Sequence, residues 1–103
     1  MSRPIVYVSE TGEDFVEALN YYQAISPRLG AAFERAFHRA EDEVEKGMVT
    51  HKTVFDDYHR VLLRRFPYIL YYRLSGAQAV IVGLLYARMA PENIEAALKS
   101  RSA

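Results

Sequence analysis

Seven apolar residues decide what the middle of this chain can become. Leu29, Ala32, Phe33, Ala36, Phe37, Ala40 and Val44 recur at i, i+3, i+4, i+7, i+8, i+11 and i+15. That spacing winds onto one side of an α-helix, and a Phe/Ala stripe is core that must be buried against another layer. Ser26 can cap this helix and Pro27 suits its first position, where a missing N–H costs nothing. Gly47 ends it. Upstream, Phe15, Ala18, Leu19 and Tyr22 form a second amphipathic face. This first helix must stop near Ile25, because the Ser26-Pro27 step disfavours continuing it. Thr11, with Asp14 three residues later, is its expected cap in a capping-box-like arrangement. Two such helices joined by a Ser-Pro step make a helical hairpin.

The remaining segments read as strands. Ile5 to Ser9 (IVYVS) is a short β-branched run after a proline. After Gly47 the candidates are Thr53 to Phe55, Tyr58 to Phe66, Tyr68 to Leu74 and Ala77 to Ala87. Asp56-Asp57 and Ser75-Gly76 supply turns, and short connections make these strands antiparallel neighbours. PENIEAALK, from Pro91, reads as a short final helix. The expected fold is α+β: an N-terminal strand, a helical hairpin packed on an antiparallel β-sheet meander, and a short C-terminal helix. Residues 1–103 are expected to form one domain.

The absence of cysteine removes disulfides, thiolate zinc sites and cysteine nucleophiles together, and fits a cytoplasmic protein. No run has the length of a membrane-spanning helix, and the N-terminus lacks the apolar core of a signal peptide. Formal net charge is zero, so overall charge makes no case for nucleic acid. The distribution is uneven. From Glu10 to Lys46 nine acids face four bases, a balance of −5, and from His51 to Arg88 six bases face two acids, a balance of +4. A two-sided molecule with an anion-attracting face, or two plain solvated faces, satisfies that pattern equally.

The basic half centres on RRFPYILYY, Arg64 to Tyr72. Strand alternation puts Val80, Val82, Leu84, Tyr86 and Arg88 on one face. Neighbouring strands then gather Arg64 or Arg65, Arg73, Tyr86 and Arg88 at one sheet edge, where guanidinium forks suit phosphates and carboxylates. The plainer alternative makes them the wet ends of strands. His51 and His59, beside Asp56 and Asp57, match no zinc spacing, and His38 falls beside the helical stripe. No metal or cofactor is expected, and no nucleotide-loop or serine-hydrolase pattern occurs.

The whole chain resembles the RelE/ParE toxins of bacterial type II toxin–antitoxin pairs. The residues that carry this are the opening strand, Tyr21-Tyr22, the run Ser26-Pro27-Arg28-Leu29-Gly30-Ala31-Ala32-Phe33, the block VLLRRFPYILYYR from Val61 to Arg73, and Tyr86-Ala87-Arg88-Met89-Ala90-Pro91. The resemblance implies a helical hairpin on an antiparallel sheet and a cognate antitoxin as partner. It also implies one of two targets, the ribosome with its messenger RNA or DNA gyrase. If a metal-independent endoribonuclease, the chain would use Arg64, Arg65, Arg73, Tyr86 and Arg88 as catalytic candidates. If a gyrase poison, Arg65, Arg73, Tyr86 and Arg88 become target contacts. Exposed Tyr21, Tyr22 and Ile25 are the expected antitoxin contacts.

Two departures favour the ParE-like branch. The last-strand pattern H-x-R-R-x-P of many relatives reads here with Tyr86 for the histidine and Met89 for the second arginine. Lysines are only Lys46, Lys52 and Lys99, and the chain is neutral, whereas ribosome binding favours strong positive charge. The reading therefore leans away from an enzyme. An inactive toxin-fold module that only binds antitoxin is the third alternative.

Overall fold

The computed structural model describes residues 2–47 and 51–101. Along them run β1 (Ile5–Tyr7), α1 (Ser9–Ile25), α2 (Pro27–Lys46), β2 (Thr53–Phe55), β3 (Tyr58–Leu62), β4 (Tyr68–Ser75), β5 (Gln78–Tyr86) and α3 (Pro91–Arg101). The five strands form one sheet in the order β1-β5-β4-β3-β2. From β2 to β5 every pairing is antiparallel, the expected meander, while β1 lies parallel to β5 at the far edge. None of the described helices is long and apolar enough to cross a membrane.

The helical hairpin forms as its local chemistry dictates. Ser26 Oγ accepts from the Leu29 N–H at 3.0 Å, and Pro27 opens α2. Gly47 closes it in the left-handed region at φ 62°, its N–H on the Glu43 carbonyl. Gly30 lets the helices approach: a Cβ there would lie 2.3 Å from Gln23 Cγ and 3.2 Å from Gln23 Cα. From the stripe, Phe33, Phe37, Ala40 and Val44 bury against Val61, Leu70, Tyr72, Ile81 and Leu84 of the sheet and against Leu63 just beyond β3. On the other sheet face Ile94 and Leu98 of α3 cover Ile69, Tyr71, Val82 and Leu85. The apolar YILYY run is thus a central strand buried on both sides, Leu70 and Tyr72 under the hairpin and Ile69 and Tyr71 under α3.

The start of α1 differs from expectation. Val8 is its N-cap and no side chain caps it. Thr11 is instead buried, its Oγ1 donating to the Ile81 carbonyl at 3.2 Å. Asp14 also points into the tertiary structure. Its Oδ2 accepts from the Leu84 N–H at 3.0 Å, and its carboxylate takes both arms of Arg101, at 2.6 and 3.1 Å. The cause is a sheet edge left open. β1 pairs with β5 only as far as Ile81, so the β5 groups beyond it need partners. Asp14 and Arg101 supply them, Arg101 also donating to the Val82 carbonyl at 3.3 Å. Gly83 makes room, since a Cβ there would sit 2.7 Å from Arg101 Nη1.

A bulge at the same place overturns the expected alternation in β5. Tyr71 pairs with Gly83 and Tyr72 with Ile81, which leaves Val82 as an extra residue. Val80 and Val82 face α3, but Leu84 faces the hairpin and Tyr86 follows it, against the Tyr68 ring at 5.7 Å. Two boundaries also shift. β3 ends at Leu62 rather than Phe66, because Arg65 turns the chain at φ 71°. The β4–β5 hairpin turns at Gly76-Ala77, with Ser75 paired to Gln78.

Candidate functional site

The β3–β4 turn places two arginines where α2 supplies two more. Arg64 and Arg65 on the turn, with Arg35 and Arg39 one helical turn apart on α2, line a cleft of about 120 Å³ floored by Ala32, Ala36 and Phe66. Among the described residues none of these four side chains has an ion-pair or hydrogen-bond partner. Arg35 and Arg39 were not among the expected site residues. Their signal was present in the sequence, an i, i+4 arginine pair beside the small Ala32 and Ala36, but its meaning depended on which turn would lie across it.

Arg65 occupies this position in a backbone conformation that side chains with a Cβ avoid. We expect Arg65→Gly to raise the unfolding free energy by about 1 kcal/mol. Urea denaturation measures this, and a loss of stability instead would show that the arginine side chain supports the turn.

The other expected residues divide between places. Arg88 lies in the turn after β5, which the Ala87 N–H ties to the Pro67 carbonyl at 2.8 Å, so it sits at the same end of the sheet as the FPY turn. Tyr86 is at that end as well, since it pairs with Tyr68. It lines a separate pocket, with Asp14, Glu17, Tyr68 and Met89. Arg73 does not join them. It lies opposite Val80, five residues along β4 from Tyr68, or roughly 17 Å away at the rise of a strand. Its guanidinium stands over the Tyr58 ring at 5.8 Å with Nε 3.7 Å from Asp57. That is a charge pairing too long for a hydrogen bond, and among the described residues the buried Nε has no hydrogen-bond partner. The expected single sheet edge is therefore split by strand length.

The proposed antitoxin contacts also separate. Tyr21 and Ile25 are 62% and 59% exposed on the outside of α1. Tyr22 turns inward, its ring 5.1 Å from Phe33, 4.9 Å from Phe66 and 6.2 Å from Tyr68. Burial, and next the Tyr68 phenol, push Tyr22 above the ordinary tyrosine range. Tyr68 is raised by burial first and the Glu17 carboxylate second. Both phenols are held protonated at neutral pH.

Histidines serve the structure or the surface. His51 bridges the Tyr72 hydroxyl, at 2.7 Å, and Glu43, at 3.2 Å, while His59 stacks on Tyr72. His38 is exposed and pairs with Glu41 at 2.6 Å. Among the described residues no cluster of three or more His, Asp or Glu could hold a metal. The arginine cleft thus offers charge and directional donors, and its lining contains no group that exchanges protons near neutral pH. The chemistry such a lining can offer is that of an anion site.

No protein-family model matches the sequence, and no curated protein does. A solved structure of the chromosomal ParDE TA system from P. aeruginosa does superpose. Its TM-score is 0.72 over 84% of this chain and 98% of that chain, with 11% sequence identity. The fold is RelE/ParE-like. Identity this low speaks for the architecture alone. Within it, the edge strand β1 exposes Val6 and Tyr7. Beside β1 a groove of about 360 Å³ is lined by Tyr7, Val8, Thr11, Phe15, Phe37 and Glu41.

Glu41 in this groove accepts from the Tyr7 hydroxyl. Burial first, then Glu45 and Asp42, raise it to about 7. A carboxyl raised in the folded state binds its proton more tightly there than when unfolded, so stability falls as pH rises from about 4.5 to about 7. With water screening the half-buried group, the loss should be roughly 1–2 kcal/mol. Glu41→Gln should flatten the curve in that window. An unchanged slope would place the titration elsewhere.

Proposed function

We propose that this protein is the toxin of a bacterial type II toxin–antitoxin pair, acting in the cytoplasm on DNA gyrase by binding and neutralised by a cognate antitoxin. The likeness of fold to the ParDE system carries the reading. Further support comes from the arginine cleft, which has cations for a target but no acid or base in its lining. Cleaving RNA through the 2′-hydroxyl needs both. The antitoxin has two surfaces suited to it: the β1 edge with its apolar groove, which accepts an added strand, and Tyr21 with Ile25 on α1, which suits an apolar helix face. Tyr22 offers less to that surface, since its ring is partly buried against the core.

Inducible expression without a partner tests this directly, with DNA and protein synthesis followed in the first minutes. DNA synthesis should fall first and cells should filament. An immediate stop in translation with cleaved messages would instead make the protein a ribosome-dependent endonuclease, with Arg64, Arg65, Tyr86 and Arg88 its catalytic candidates. Undisturbed growth would leave an inactive antitoxin-binding module.

A further inference from the structure

We infer that the cleft between α2 and the β3–β4 turn is a docking site for an acidic peptide segment, its carboxylates held by Arg35, Arg39, Arg64 and Arg65. Four arginines from two elements line one small cleft. Like charges one helical turn apart repel one another, as do those of neighbouring elements. Among the described residues no acid of this chain relieves them. An arriving carboxylate removes that repulsion and can take a guanidinium fork through two parallel hydrogen bonds. Arg65 strengthens the case, because the chain holds an arginine at φ 71° where glycine would be relaxed.

The same observations disfavour a nucleic acid as occupant. Single strands are gripped by free aromatic faces as well as by charge. The one ring in this cleft is Phe66, and it already stands edge-on to Tyr22 at 4.9 Å and Phe33 at 5.3 Å. Polyanion binding also draws on long-range positive potential, whereas this chain has zero formal net charge. A short acidic stretch needs only the local field of the cleft. Ala32 and Ala36 on its floor let a peptide backbone lie close to the helix.

This inference stands apart from the toxin reading, since a chain that never arrests growth can still hold an acidic peptide here. The test is fluorescence anisotropy with a labelled oligoglutamate peptide on the full chain at low salt. The paired variant Arg35→Ala with Arg39→Ala, both on an exposed helix face, should weaken binding at least tenfold. Arg65→Gly should weaken it as well, by about tenfold, the amount expected for one charge-assisted contact. Affinity of Arg65→Gly is read where urea denaturation shows it fully folded, so that its loss is not one of unfolding. Arg28→Ala, outside the cleft, removes the same charge and should leave affinity within about twofold, as expected of a screened surface residue. Equal losses from Arg28→Ala would reduce the effect to net charge and overturn the site. So would absence of peptide binding, or tighter binding of a single-stranded RNA of equal charge at the same salt.

Discussion

Asp14→Ala should lower the unfolding free energy by about 3 kcal/mol, the low end of the loss expected when one partner of a buried ion pair is removed, since this pair is part-buried. For a domain of this size that is a fall in Tm of roughly 12 °C or more. Both side chains are only 15% exposed, and they meet through two hydrogen bonds, at 2.6 and 3.1 Å. Removing the carboxylate strands Arg101 beside the bulge and also takes the acceptor from the Leu84 N–H. The pair joins α1, β5 and the end of α3, so its loss loosens both layers together. Arg101→Met should cost less, because it leaves Asp14 still bonded to the Leu84 N–H. Chemical denaturation of the two variants gives both numbers. A cost below about 1 kcal/mol for Asp14→Ala is what a surface ion pair gives, and would mean that the bulged edge is held by something else.

The residues that made this clamp invisible in the sequence illustrate where a linear reading stops. The α2 stripe, the Ser26-Pro27 step and Gly47 act through neighbours within one helical turn, and the structure uses them as expected. Thr11 and Asp14 have the same spacing as a capping box, yet both bond to β5, 70 residues away. Local spacing cannot distinguish those uses, because the competing acceptor and donor are supplied by tertiary packing. Tyr86 failed for a related reason. A strand's alternation survives only while its register does, and one extra residue at Val82 moved every later side chain to the other face. Arg73 and Arg64 lie on adjoining segments of chain, but the length of β4 carries them to opposite ends of the sheet. Conversely Arg35 and Arg39, distant in sequence from the FPY turn, came to complete its cleft. The aromatic and arginine content of RRFPYILYY was legible; its division between core and cleft depended on the turn at Arg65.

Phe33→Ala is the core change expected to reach furthest, at about 3–5 kcal/mol. Phe33 is fully buried, and its ring meets Phe15 at 6.1 Å, Tyr22 at 5.1 Å, Phe66 at 5.3 Å and Tyr68 at 5.5 Å. Truncation leaves a cavity among four rings drawn from α1, the β3–β4 turn and β4, and removes aromatic contacts each worth about 0.5–1.5 kcal/mol beyond their area. The consequence is positional as well as energetic. Phe66 follows Arg64 and Arg65 directly, so the ring that Phe33 holds is the anchor of the arginine turn. Tyr22 likewise fixes the end of α1 that displays Tyr21 and Ile25. Phe33→Leu fills more of the space and should recover a large part of the stability, yet without a ring it cannot restore the edge-on contact to Phe66. Peptide affinity measured on Phe33→Leu, under conditions where it is fully folded, therefore separates the two roles. A fall in affinity beyond that of the folded fraction would tie the cleft to the aromatic nest. Wild-type affinity in a destabilised Phe33→Leu would show that the turn holds its arginines through its own backbone.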